Sequence, residues 1–129
     1  MKASIFCACN FAGRLETGQP LIMGIFHTAG SNEGFPRRSV TYHLAVELEA
    51  EPHEAGTHAV QLRFLDQDGK ELQVLNFEAE ILRNEANIPS HLWMSPEVGT
   101  SVEIPAAGLY RWDLVVDGEP IASARVTFQ

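Results

Sequence analysis

Tyr110-Arg111-Trp112-Asp113-Leu114-Val115-Val116-Asp117-Gly118-Glu119-Pro120-Ile121-Ala122-Ser123-Ala124-Arg125-Val126-Thr127-Phe128 is the stretch that decides the fold class. On both sides of Asp117-Gly118 the core-type residues fall on even positions: Tyr110, Trp112 and Leu114 before it, then Ala122, Ala124, Val126 and Phe128. Period-two alternation puts such residues on one face of a strand, and Asp-Gly supplies the left-handed backbone of a tight hairpin. For even positions to meet even positions, the loop has to hold an odd number of residues. A three-residue loop of Val116, Asp117 and Gly118 is expected, pairing Trp112 with Ala122 and Tyr110 with Ala124.

The device recurs at Gln67-Asp68-Gly69. Keeping Leu62 and Phe64 on the face of Val74 and Leu72 again requires a three-residue loop, with Gly69 left-handed before a bulge. Farther along the same run the apolar set changes parity to Leu75, Phe77, Ala79 and Ile81, which predicts a bulge near Val74 to Asn76. Val40, Tyr42, Leu44, Val46 and Leu48 alternate with partly polar neighbours, as in a half-buried strand.

The N-terminal runs differ. Ile5, Cys7 and Cys9 oppose Phe6 and Ala8, and Leu21 to His27 repeats this two-sided pattern, so the two runs are expected to pair and to need cover on both sides. If one face fills the core, the other presents Phe6 and Ala8 with either Ile22 and Phe26 or Met23 and Ile25, a patch too apolar to stay wet. From Arg83 to Pro105 the alternation fails, which predicts a long connection with a short strand at Val102-Glu103-Ile104. Within it, His91, Leu92, Trp93 and Met94 are read either as contact surface or as a plug of one end of the fold.

These readings add up to an all-β antiparallel β-sandwich of seven to eight strands, immunoglobulin-like, forming a single domain over residues 1–129, with a barrel as the alternative. Pro105-Ala106-Ala107-Gly108-Leu109-Tyr110 is similar to the Pro-x-x-Gly-x-Tyr lead-in of many such sandwiches. A net charge of −8, from 9 basic and 17 acidic residues, makes nucleic acid an unfavoured partner. No signal region or long apolar run is present, so no membrane partner and a cytoplasmic location are expected, in keeping with thiols at Cys7 and Cys9 too awkwardly spaced for a disulfide.

Chemistry-bearing residues are sparse. Cys7 and Cys9 form only one ligand pair, and His27, His43, His53, His58 and His91 are scattered, so no metal site is assigned. Glu47, Glu49 and Glu51 read as the wet side of a strand, and Arg37-Arg38 as a solvated doublet. No nucleophile elbow or phosphate loop occurs, so no catalytic residue and no cofactor is assigned.

Cys9-Asn10, Gly13-Arg14-Leu15, Leu21-Ile22-Met23-Gly24-Ile25-Phe26 and Phe35-Pro36, with Gly108-Leu109-Tyr110 and Val115-Val116-Asp117-Gly118 near the end, resemble a family of small bacterial proteins of unknown function. The resemblance implies a single domain, a β-sandwich, and brings no catalytic residues. The chain departs from that pattern at His27, where the family tends to be acidic, and in an expanded stretch over 86–100.

The expected function is a non-enzymatic protein-interaction or structural module that pairs with itself as a homodimer. The candidate surface is Phe6, Ala8, Met23, Ile25, His91, Trp93 and Met94. The alternatives are a small-ligand or carbohydrate-binding module using Trp93 as a stacking platform, and a metal-dependent enzyme.

Overall fold

A computed structural model of the chain describes residues 1–31 and 33–129. In chain order the strands are β1 (Lys2–Arg14), β2 (Pro20–Ile25), β3 (Thr28–Ala29), β4 (Arg37–Arg38), β5 (Tyr42–Ala50) and β6 (Gly56–Leu65). They continue with β7 (Glu71–Ile81), β8 (Ser90–Met94), β9 (Glu97–Val98), β10 (Glu103–Ile104), β11 (Gly108–Val116) and β12 (Glu119–Phe128). A single 3-10 turn at Pro52–Glu54 interrupts the described residues. One sheet runs β2-β1-β5-β8, with β9 also on β5; the other runs β3-β12-β11-β6-β7, and β4 pairs with β10. All pairs are antiparallel except β3 with β12.

The core lies where the alternation puts it. Leu44, Val46 and Leu48 of β5 meet Val60, Leu62 and Phe64 of β6 and Trp112, Leu114 and Val126 of β11 and β12, all buried. Side chains on successive odd or even positions of each strand thus fill one interior from two sheets. Trp112 Nε1 donates to Tyr42 Oη at 2.8 Å, which satisfies the polar atoms of two fully buried rings. Tyr110 Oη donates to the Ala106 carbonyl at 2.7 Å and ties the lead-in segment to the start of β11.

Both Asp-Gly hairpins form, with corrected details. Val116 pairs with Glu119, so the last loop is the two-residue Asp117-Gly118, both at positive φ (51° and 82°). A bulge between Leu114 and Val115, absorbed around Ile121, restores even-to-even parity, with Trp112 opposite Ala124 and Tyr110 opposite Val126. At the other hairpin the loop is Gln67-Asp68-Gly69: Asp66 N–H donates to the Lys70 carbonyl at 2.9 Å, and Gly69 has φ +83°. Leu65 then pairs with Glu71 and Phe64 with Gln73, so the bulge falls at Leu72 rather than at Val74 to Asn76, and Leu62 meets Leu75 instead of Val74.

The expected long loop is also corrected. Ser90–Met94 is a strand, pairing along β5 from Ala50 to Val46. Its backbone finds partners there, while Leu92 and Met94 pack against the core and Trp93 is buried in a second cluster.

Candidate functional site

The N-terminal hairpin forms as expected, Cys9 opposite Ile25 and Phe11 opposite Met23. A register shift between Ala3 and Ile5 leaves Ser4 out of the pairing, and beyond it the register against β5 decides which face looks inward. Phe6 lies opposite Val46 and Ala8 opposite Leu44, both core positions. Phe6 and Ala8 therefore belong to the interior, not to an exposed surface. Phe26 packs with them, its ring 5.3 Å from that of Tyr42. Met94 also packs against the core.

The other face carries Ile5, Cys7 and Cys9, opposite Glu47, Ala45 and His43. Trp93, opposite Glu47, joins Cys9, Ala12 and Ala45 in a second small cluster, with Ile5, Cys7 and Ile22 against it. Trp93 is thus neither on a loop nor open as a stacking platform: it is 8% exposed, and its Nε1 is buried with no acceptor among the described residues. Beyond this cluster the hairpin stays apolar and wet: Phe11 is 46% exposed, Leu15 47%, and Met23 and Ile25 57% each. The Phe11 ring stands edge-on to His43, 5.2 Å between centroids.

Phe11 and Leu15 were missed in the sequence. Phe11 continues the odd series of Ile5, Cys7 and Cys9, and that period was the available signal.

Electrostatics set this hairpin apart. Up to His27 the charged side chains are Lys2, Arg14 and Glu16, while the whole chain is at −8. His91 is exposed at the far side of the sheet, its Nε2 3.6 Å from Glu49, which also holds Lys2 at 2.8 Å. Burial pushes the Cys9 thiol up to about 11, aided by neighbouring Cys7, and burial raises Cys7 as well. Both are free thiols that stay protonated near neutrality, poor nucleophiles and poor ligands.

A polar cluster sits at the end of β6. His58 Nδ1 meets Asp117 Oδ2 and Nε2 meets the Glu54 carbonyl, each at 2.5 Å. Both partners are acceptors, so the ring donates twice; the Asp117 contact first and the Glu54 carbonyl second raise its pKa. Asp117, lowered by His58, also accepts from Ala59 N–H at 2.9 Å. With neither ring nitrogen free, the arrangement pins the last hairpin turn to β6 and offers no base to a substrate. Among the described residues no three His, Cys, Asp or Glu side chains group closely enough to hold a metal ion, and no helix is long and apolar enough to cross a membrane.

Fold and surface together define an all-β domain of antiparallel sheets with an N-terminal hairpin that is apolar on both sides. The chain belongs to a family of unknown function, DUF6941, whose model matches residues 4–129. No curated protein matches it. Among solved structures it is similar to Pseudomonas fluorescens alkylpurine DNA glycosylase AlkC bound to DNA containing an abasic site analog, at 12% identity and a TM-score of 0.49. That match covers 80% of this chain but 27% of the glycosylase chain, and it carries no argument about activity.

Proposed function

We propose that this domain is a non-enzymatic interaction or structural module that self-associates as a homodimer through the outward side of its N-terminal hairpin, in the reducing cytoplasm of a bacterium. The observation that carries the reading is the wet apolar strip of Phe11, Leu15, Met23 and Ile25 on the least acidic part of an acidic molecule. Two copies meeting elsewhere would bring carboxylates together; here they would not. Four such side chains, each about half exposed, offer roughly 300–400 Å² of apolar surface, the size at which patches on monomers tend to be functional. That is below the ~800 Å² per partner of a standard stable interface, so the dimer is a weak one with a Kd of about 1–100 μM.

We assign the sandwich to the immunoglobulin-like class. Support comes from the order β1-β5-β8 facing β12-β11-β6-β7, which matches the sequence of an A-B-E sheet against a G-F-C-C′ sheet, and from the Tyr110 hydroxyl bound back to Ala106 at the start of β11.

Sedimentation velocity from about 1 to 300 μM tests the association. The sedimentation coefficient is expected to rise with concentration, and Met23→Glu with Ile25→Glu to hold the protein monomeric with an unchanged circular dichroism spectrum. A wild-type chain that stays monomeric throughout would overturn the proposal.

A further inference from the structure

The second sheet ends in β7, an 11-residue strand paired only with β6. Among the described residues no backbone hydrogen bond reaches its far side. Unpaired N–H and C=O groups in a row are a template for another strand, and natural sheets blunt such edges with charge or cover. Here the edge is charged on one side only. Asn76, Glu78 and Glu80 face outward opposite Gln61, Ala59 and Thr57, whereas Leu75, Phe77, Ala79 and Ile81 face the interior opposite Leu62, Val60, His58 and Gly56.

Two features make the edge an incomplete surface. Phe77 lies opposite the fully buried Val60 yet is 37% exposed, because among the described residues no strand lies beyond it. Neither Glu78 nor Glu80 has an ion-pair partner among the described residues, unlike Glu71, which Arg63 holds at 3.0 Å. At the C-terminal end of β7 a recess of about 310 Å³ opens between the two sheets, lined by Glu80, Ile81, Leu82, Ser90, His91 and Leu92. Leu82 beside it is 72% exposed.

We infer that β7 is a docking edge for an extended peptide of another protein that alternates apolar and basic residues and adds as a further strand to the second sheet. Its apolar side chains would cover Phe77 and reach the recess, and its Lys or Arg side chains would stand across from Glu78 and Glu80, where opposite charges on neighbouring strands attract. A second copy of this chain is disfavoured at this edge, since two β7 strands would bring Glu78 and Glu80 of each near those of the other. The acids thus act as a filter, rejecting self-pairing while admitting a basic strand. This surface lies on the opposite sheet from the N-terminal hairpin, so its fate does not depend on the homodimer.

The probe is a fluorescein-labelled peptide of about nine residues alternating Val and Lys, acetylated and amidated, titrated with the full chain in anisotropy at about 50 mM salt. Binding at a Kd of about 10–100 μM is expected. Replacing its Lys by Glu, or making Glu78→Lys with Glu80→Lys in the protein, should weaken it at least about tenfold. Peptides N-methylated on alternate amides separate ladder pairing from charge attraction: one of the two sets should abolish binding and the other should not. Equal binding by both methylated peptides, indifference to the charge-reversed protein, or no binding at about 1 mM peptide would each overturn the inference.

Discussion

The two tryptophans should respond very differently to the same substitution. Trp112 is fully buried and donates through Nε1 to Tyr42 Oη at 2.8 Å, its hydrogen-bond partner in a site that pushes the Tyr42 hydroxyl up to about 12 by burial. Trp112→Phe removes that donor and leaves the buried hydroxyl alone, at about 1–3 kcal/mol. It also replaces the two-ring indole, packed 4.9 Å from the Phe64 ring, by a single six-membered ring, which adds about 1–3 kcal/mol of lost contact and cavity. The sum is about 2–6 kcal/mol, a large share of a domain's stability. Trp93→Phe loses similar contact on the outer cluster, about 1–2 kcal/mol, but removes an N–H that is buried with no acceptor. Relief of that unmade bond, about 1–3 kcal/mol, offsets the lost packing and leaves a change between about 1 kcal/mol of loss and about 2 kcal/mol of gain. Urea unfolding followed by far-ultraviolet circular dichroism at one low concentration measures both, independent of the fluorophores removed. Equal destabilisation by the two substitutions would refute the assignment of satisfied and unsatisfied indoles.

Two other perturbations are read in the same unfolding assay. His58 has its pKa raised in the fold above the ordinary 6.5, so its contribution is complete below 6.5 and is lost as pH rises through the folded value. The urea midpoint should therefore fall as the pH rises above the ordinary histidine value, and His58→Gln should flatten that fall; an identical slope in the variant would count against the double-donor geometry. Gly118→Ala places a side chain at φ +82° and should cost about 1–2 kcal/mol, whereas Gly34→Ala, with open space around it and no positive φ, should stay within about 0.5 kcal/mol. Matching losses at the two glycines would contradict the turn assignment.

How far these features could be read in advance follows from what parity can carry. Alternation in 110–128 identified the face that Tyr110, Trp112 and Leu114 share with Ala124 and Val126, and that face is the core. Parity fixes only the sum of loop residues and bulges, so a three-residue loop and a two-residue loop followed by a bulge at Ile121 give the same pattern. At Gln67-Asp68-Gly69 the loop was legible from Gly69, but the bulge was misplaced because Leu72 is apolar and fits either register. In the candidate site the obstacle was different. A strand apolar on both sides shows that both need cover without showing which looks inward, and the register against β5, with Phe6 opposite Val46 and Ala8 opposite Leu44, made that choice. Trp93 and Met94 hid β8 for the same reason, since adjacent apolar residues covered on opposite sides leave no alternation to find.

Contacts between copies bear most directly on the proposed self-association. A mixed sample of isotope-labelled and unlabelled chains at about 0.5 mM, where a dimer with micromolar Kd is the main species, allows intermolecular nuclear Overhauser effects to be collected selectively. Cross-peaks are expected among the side chains of Phe11, Leu15, Met23 and Ile25, all exposed in the single chain. Intermolecular cross-peaks confined to the second sheet, or none at all, would contradict it.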